Sequence, residues 1–243
     1  PATTKRGMIV AVTKEAVFFD RTGGRVLRQA QSVGRRLATG RLKRFLKVFV
    51  GGSNTYKEDG TSYNTYQTSG TLWTNQVSKT LVDYTDVEEA QLLAADITDP
   101  DTGNPIEFVS NPTLVVPPAL KMTSRRIINA TEIRQGAIDA TTPETVGPNV
   151  ITSDDVGTVV VSALLRKTLV DELSLAATDA NKNWFYGDPK RAFAYMQNWP
   201  LTVVQAPPQN PDEFNKDIVA AFKASERGEA AVMEPRWIQR FTH

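Results

Sequence analysis

A run of basic side chains is the feature of this sequence best suited to binding chemistry. Residues 21–50 hold nine Lys and Arg side chains and no Asp or Glu, and because the whole chain has a net charge of +1, the other residues sum to −8. Cations on one element can neutralise phosphates, which gives a sequence-independent and salt-sensitive affinity for nucleic acid. The alternative is a solvated helix face that supplies internal salt bridges. Eight of these residues are candidates for nucleic-acid contact: Arg25, Arg28, Arg35, Arg36, Arg41, Lys43, Arg44 and Lys47.

Catalytic chemistry finds little support in the residue types present. His243 is the only histidine and cysteine is absent, which excludes a histidine-dependent triad, a multi-histidine metal site and cysteine nucleophiles within one subunit. General acid–base catalysis needs carboxylates that face each other, whereas adjacent residues of a helix or strand point apart. We therefore expect solvated surface at the paired carboxylates, no enzyme activity and no cofactor. These pairs are Glu88-Glu89, Asp154-Asp155, Asp171-Glu172 and Asp212-Glu213.

Aromatic residues recur in the segment 51–80, which is otherwise rich in Gly, Ser, Thr and Asn. Aromatic side chains can stack on single-stranded bases, but basic residues are scarce in this segment. An intersubunit contact loop fits better, since tyrosine provides a large contact area at low entropic cost. We expect a long exposed loop or a pair of weak strands. The candidate contact residues are Tyr56, Tyr63, Tyr66 and Trp73.

The first half of the chain contains the elements that must position these side chains. The segment 8–12 is typical of a strand, and apolar residues at helical spacing predict one long helix over residues 25–50. A second helix is predicted over 85–93, where Thr85 and Glu88 match a capping box. The chain lacks any apolar run of the ~20 residues that a membrane helix needs, and we expect a soluble protein without a secretory signal.

The second half alternates between apolar segments and turn clusters. We predict a short buried strand at 113–116, a helix at 119–130 and a loop at 131–157. The β-branched and aromatic segments 159–165 and 184–186 predict core strands, because both are bounded by polar turn residues.

The order of motifs near the C-terminus resembles that of a known family. Those motifs are Trp184-Phe185-Tyr186-Gly187-Asp188-Pro189, then Pro200-Leu201-Thr202-Val203-Val204, then Glu226-Arg227-Gly228-Glu229. The pattern is similar to the end of a tailed-bacteriophage major capsid protein with the Hong Kong phage-type capsid fold. In that family a strand ending in a Gly-Asp-Pro turn precedes a proline-bounded strand and a two-strand ribbon with a charged turn.

The resemblance implies an α+β fold with a peripheral domain and an axial domain. Family members carry an N-terminal arm and an extended loop before a long spine helix, and at most the returning strand of that loop is expected here. The implied peripheral domain comprises residues 1–111 and 211–243, with the returning arm strand at 1–19, the spine helix at 22–50 and the exposed loop at 51–80; the axial domain comprises residues 112–210.

The resemblance also implies a mechanical function. Pentamers and hexamers of the chain would self-assemble, in the cytoplasm of a host bacterium, into the icosahedral shell of a virion that encloses double-stranded DNA. The basic helix would face that DNA without reading its sequence, and portal, scaffold or decoration proteins would be further partners. Two alternatives stay open: an encapsulin-type shell around a protein cargo, and a DNA-binding protein that acts through its basic helix alone.

Overall fold

The computed structural model describes residues 2–19, 25–53, 56–58, 60–69, 73–99, 102–105, 112–135, 145–149, 151, 155–206 and 217–243. These residues form a mixed fold of helices and strands. The chain divides into two compact units. The first unit comprises Pro1–Leu46 and Tyr195–Ala231, and the second unit comprises Lys47–Ala194 and Val232–His243. These units divide the chain after residues 46, 194 and 231, whereas the boundaries expected from the sequence lie after residues 111 and 210.

The first unit is a helix on a three-stranded sheet. Its elements are β1 (Thr4–Thr13), α1 (Lys14–Phe19), α2 (Arg25–Phe49), β10 (Phe193–Gln205) and β11 (Ile218–Val232), of which α2, β10 and β11 extend by one to three residues into the second unit. The sheet has the order β1-β11-β10, and β1 runs antiparallel to β11 with Met8 opposite Ala224. Val33 and Leu37, one helical turn apart on α2, are buried against Ala224, and Val10 packs against the same cluster.

The second unit is built on a mixed five-stranded sheet. Its strands are β2 (Lys57–Glu58), β3 (Thr61–Ser62), β4 (Gln76–Ser78), β5 (Thr113–Val116), β6 (Glu132–Gln135), β7 (Thr145–Pro148), β8 (Thr158–Val161), β9 (Trp184–Gly187) and β12 (Ile238–Thr242). The order of strands in the five-stranded sheet is β4-β12-β9-β5-β8. Its helices are α3 (Tyr84–Ala95), α4 (Lys121–Asn129), α5 (Ala163–Leu173), α6 (Ala177–Ala180) and α7 (Pro189–Ala192), with 3₁₀ turns at Pro118–Leu120 and Pro235–Trp237.

Alternation along the strands of the second unit sends side chains into two separate aromatic layers. Trp184 stacks on Phe241 with ring centroids 3.9 Å apart, in a buried cluster that also receives Val87 of α3 and Ile127 of α4. Phe185 points the other way, and its ring lies 4.7 Å from that of Phe49 at the end of α2. Each fully buried aromatic side chain contributes about 1.5–3 kcal/mol of burial free energy.

The first C-terminal motif was predicted to be a strand that ends in a Gly-Asp-Pro turn, and the structure confirms it at the end of β9. Gly187 has a φ of +138°, and a Cβ atom there would lie 2.3 Å from the carbonyl oxygen of Trp237, so only glycine fits. The carboxylate of Asp188 then accepts a hydrogen bond from the backbone N–H of Lys190 at 3.0 Å. With Pro189 in its first turn, α7 begins directly at this cap.

The sequence predicted several elements correctly and placed others wrongly. The long helix, the strand at 113–116 and the helix that follows it are confirmed. Residues 131–157 are not all loop, because β6 and β7 form an antiparallel ribbon. The segment 159–165 changes from strand to helix at Ser162, whose hydroxyl caps α5 by accepting from the backbone N–H of Leu165.

Three local signals were also assigned to the wrong residues or the wrong element. The capping box of α3 is formed by Asp83 and Asp86, and not by Thr85 and Glu88. The charged segment 226–229 was predicted as a turn but lies within β11. Pro200 likewise lies inside β10 rather than at its start. The expected start of the spine helix at residue 22 falls outside the described residues.

The buried phenol of Tyr186 predicts a loss of stability in alkali. Its hydroxyl donates to the carbonyl oxygen of Asp155 at 2.7 Å, and burial raises the pKa of Tyr186 to about 12. An unfolded tyrosine has a pKa of about 10, so the neutral phenol stabilises the fold below that pH by about 2–3 kcal/mol. We expect this contribution to disappear between about pH 10 and pH 12, as followed by urea unfolding at each pH.

The matched control for this prediction is Tyr186→Phe. This variant loses the hydrogen bonds of the phenol, to the carbonyl oxygen of Asp155 and to the side chain of Gln91, at every pH. We expect its urea midpoint to fall less steeply over the same alkaline interval. Burial also raises the pKa of Tyr66, so a residual alkaline slope is expected in the variant. An identical slope in both proteins would contradict the assignment to Tyr186.

Candidate nucleic-acid and intersubunit surfaces

The basic residues of α2 divide into a group that is bonded within the chain and a group that is exposed. Arg44 lies in the first unit and donates to the buried carboxylate of Glu226 and to the hydroxyl of Tyr195, the latter at 3.2 Å. Burial alone would lower the pKa of Arg44, but these two hydrogen bonds outweigh it, and the pKa is raised. Arg41 lies 4.0 Å over the ring of Tyr195.

Lys47, at the C-terminal end of α2, lies in the second unit. Its Nζ pairs with the carboxylate of Glu172 on α5 at 2.8 Å. Three of the eight candidate residues therefore have a charged group that contacts another residue of the chain: Arg41, Arg44 and Lys47.

Four other cations of α2 form an exposed face. At 100° per residue, these four fall within an arc of roughly 100° on the side opposite the buried Val33 and Leu37. The α2 sequence contains no Asp or Glu that could neutralise them locally. We name this group, Arg28, Arg35, Arg36 and Lys43, the cation face. The side chain of Arg25 lies outside the described part of the chain.

Three of the four candidate contact residues of the 51–80 segment form one aromatic cluster in the second unit, and Tyr66 packs against Phe185 of the same unit. The rings of Tyr56 and Tyr63 lie 5.5 Å and 5.7 Å from that of Trp73, which is buried. Tyr66 is also buried, and its hydroxyl donates to the carbonyl oxygen of Phe49 at 2.5 Å. Two of the four predicted contact residues are therefore core residues of this unit, and the other two are half-exposed.

Two buried polar residues hold this segment in place, and the sequence analysis did not single out either. The guanidinium of Arg236 donates to Glu58 at 3.2 Å and to Glu234 at 3.0 Å, and it lies 4.9 Å over the ring of Trp73. The side-chain amide of Asn75 donates to the carbonyl oxygens of Thr65 and Pro235, each at 3.0 Å. Glu58 lies 178 residues from Arg236, and Pro235 lies 160 residues from Asn75, so no local spacing could have revealed these contacts.

The described residues lack two features that would indicate a metal site or a transmembrane helix. They contain no group of three or more His, Cys, Asp or Glu side chains that could hold a metal ion. None of their helices is both long and apolar enough to cross a membrane. Of the paired carboxylates, Asp171 pairs with Lys167 and Glu172 with Lys47, while Glu88 and Glu89 are exposed; residues 154, 212 and 213 lie outside the described part.

The fold is that of the Hong Kong phage-type shell proteins. The capsid of cyanophage P-SCSP1u aligns with a TM-score of 0.55 and 14% identity, over 98% of this chain and 71% of that chain. The capsid of an empty GTA particle aligns with a TM-score of 0.54 and 12% identity, over 98% and 72%. The holo-SrpI encapsulin complex from Synechococcus elongatus PCC 7942 aligns with a TM-score of 0.52 and 8% identity, over 99% and 73%.

A comparison of sequences identifies the family within this class. A family model described as phage capsid protein matches residues 1–241, and the chain therefore belongs to the phage capsid protein family. No curated protein matches the sequence. The chain is a structural protein of the virion capsid that self-assembles into a shell, and the resemblance to a major capsid protein is confirmed.

Proposed function

We propose that this chain, as a major capsid protein, builds an icosahedral shell of pentamers and hexamers around double-stranded DNA, with the cation face of α2 turned towards the DNA. Assembly in the cytoplasm of a bacterial host, with portal, scaffold or decoration proteins as partners, is part of the proposal. The observation that carries the DNA contact is the exposure of four cations on one face of a helix without a carboxylate. Such a face binds phosphates without reading bases.

The distribution of charge between the two units supports the same orientation. The first unit contains fourteen Lys and Arg and seven Asp and Glu, so its net charge is +7, and the second unit has a net charge of −6. A polyanion is therefore attracted to the first unit and repelled by the second. In this proposal the peripheral domain is the one organised around α2, and the axial domain is the one organised around the five-stranded sheet.

The 51–80 segment is the proposed intersubunit loop. Tyr66 and Trp73 anchor it in the second unit, and the half-exposed Tyr56 and Tyr63 present its outer surface to a neighbouring copy. Preorganisation of this kind favours binding, because a loop already held in place loses little entropy when a neighbour docks.

Neutralising the cation face is expected to weaken DNA binding in a salt-dependent way. Because the neutral side chains no longer pair with four phosphates, the slope of log affinity against log salt concentration for a short DNA duplex should decrease by about 3–4. Particles made from the variant should also show a lower ratio of absorbance at the nucleic-acid wavelength to that at the protein wavelength. The variant combines Arg28→Gln, Arg35→Gln, Arg36→Gln and Lys43→Gln.

A variant with the same change in charge elsewhere is the matched control. It removes four exposed cations of the second unit, and we expect its salt slope to equal that of the unaltered protein. The control combines Lys57→Gln, Arg166→Gln, Lys167→Gln and Lys190→Gln. Equal slopes for the two variants would overturn the assignment of the cation face, and shells filled with protein instead of DNA would favour the encapsulin alternative.

A further inference from the structure

Two helices of the second unit each expose one large apolar side chain next to charged residues of a single sign, acidic on one helix and basic on the other. On α3, Leu92 is 61% exposed, and Glu88 and Asp96 lie one turn before and one turn after it. We call these three residues the acidic face. On α4, Met122 is 66% exposed, and Arg125 and Arg126 lie one turn further along the same side of the helix. We call these three residues the basic face.

Both faces are presented by helices whose opposite sides are fixed in the core. Val87 and Ala90 of α3 and Ile127 of α4 are buried in one cluster against the five-stranded sheet. Each face is therefore held in position before it meets a partner, which lowers the entropic cost of docking.

The charges on these faces have no structural use within the described part of the chain. The side chains of Glu88, Arg125 and Arg126 form no hydrogen bond or ion pair with another described residue. Asp96 stands at the C-cap of α3, where the helix dipole disfavours a negative charge. A further carboxylate of α3, Glu89, is already paired with Lys79 at 2.7 Å.

We propose that the acidic face of one copy of this chain docks on the basic face of the next copy, with Leu92 and Met122 packed against each other inside the charged rim. This inference rests on the proposed shell function and assigns one of its contacts. A contact of either face with itself would oppose like charges, which costs binding free energy. The pairing therefore joins unlike faces, and in the head-to-tail arrangement contacts of this kind close into the rings of the proposed shell.

Charge reversal of one face at a time tests the pairing. One variant combines Arg125→Glu and Arg126→Glu, and the other combines Glu88→Lys and Asp96→Lys. Each variant presents two faces of the same sign, and we expect its yield of shells to fall more than about tenfold relative to the unaltered chain. Electron microscopy and sedimentation of the purified protein measure that yield, and circular dichroism of the unassembled protein verifies its fold.

Combining the reversals gives the decisive result. A chain that carries all four substitutions again has one acidic and one basic face, and we expect its shell yield to return to within about twofold of the original. In an equimolar mixture of the two separate variants, subunits must alternate around a ring. Such a ring closes with six copies but not with five, so hexagonal sheets or tubes should replace closed shells.

Failure of the pairing can be distinguished from failure of the proposed shell function. Arg166→Glu combined with Lys167→Glu makes the same change in charge on the exposed side of α5, and we expect normal shells from it. Loss of assembly in that control, or normal assembly of either single-face variant, would overturn the pairing and leave the shell function intact. If the unaltered chain forms no ring or shell under any condition, the proposed function and the pairing both fail.

Discussion

Asn75→Asp is expected to remove most of the folding stability of the second unit, although it replaces only one amide nitrogen with oxygen. The side chain is fully buried, and its Nδ2 lies 3.0 Å from each of the carbonyl oxygens of Thr65, Pro235 and Ile238. Its Oδ1 accepts from the backbone N–H of Gln67 at 2.9 Å. The amide thereby connects the 51–80 segment to the 3₁₀ turn at Pro235–Trp237 and to β12.

The expected cost follows from what a carboxylate would meet at this position. Three carbonyl oxygens would face a buried negative charge with no donor between them, and we expect a loss of about 4 kcal/mol or more. Because domains of this kind are stable by only about 5–15 kcal/mol, such a loss is close to unfolding. Urea unfolding followed by tryptophan fluorescence measures it, since Trp184 lies in the core of the same unit.

Two comparisons make this result specific to Asn75. Asn104→Asp introduces the same charge at an exposed position, and we expect its stability to change by less than about 0.5 kcal/mol. Acidification should partly restore Asn75→Asp, because protonation of the new carboxyl removes the charge and returns one donor. A cost at Asn75 no larger than that at Asn104 would show that the amide does not hold the loop in place.

Local patterns in the sequence were sufficient to predict the elements whose structure depends on residues close to each other in the chain. The spacing of Val33 and Leu37 gives α2 its buried side, and the Gly-Asp-Pro sequence at 187–189 ends β9 and caps α7. The family resemblance depended on that same turn, which the structure confirms. In each case the determining contacts lie within a few residues of one another.

Long-range partners explain what the sequence could not predict. The family resemblance placed Glu226 in the charged turn of a two-strand ribbon, but pairing with Arg6 of β1 makes it part of a strand. Arg44 was one of eight similar cations, and its partner lies 182 residues away. Sequence spacing therefore predicted a basic helix, and only the fold separates the cation face from the cations that are bonded internally.

Removing the guanidinium of Arg44 is expected to destabilise the first unit strongly while leaving its affinity for DNA unchanged. The side chain of Glu226 is 3% exposed, and its carboxylate pairs with Arg44, whose own side chain is 16% exposed. In Arg44→Met the carboxylate stays buried without its partner, and we expect a cost of about 3–5 kcal/mol in urea unfolding. Glu226→Leu should cost a similar amount, since it leaves a buried cation.

The double variant Arg44→Met with Glu226→Leu tests both parts of this argument. Replacing a buried ion pair with apolar residues of similar volume is often neutral, so we expect stability within about 1–2 kcal/mol of the original and a large favourable coupling between the two sites. Because this variant keeps the cation face, its DNA salt slope should match that of the unaltered chain. A decrease of about one in that slope would instead make Arg44 a phosphate contact, and additive costs would show that the pair does not act as a unit.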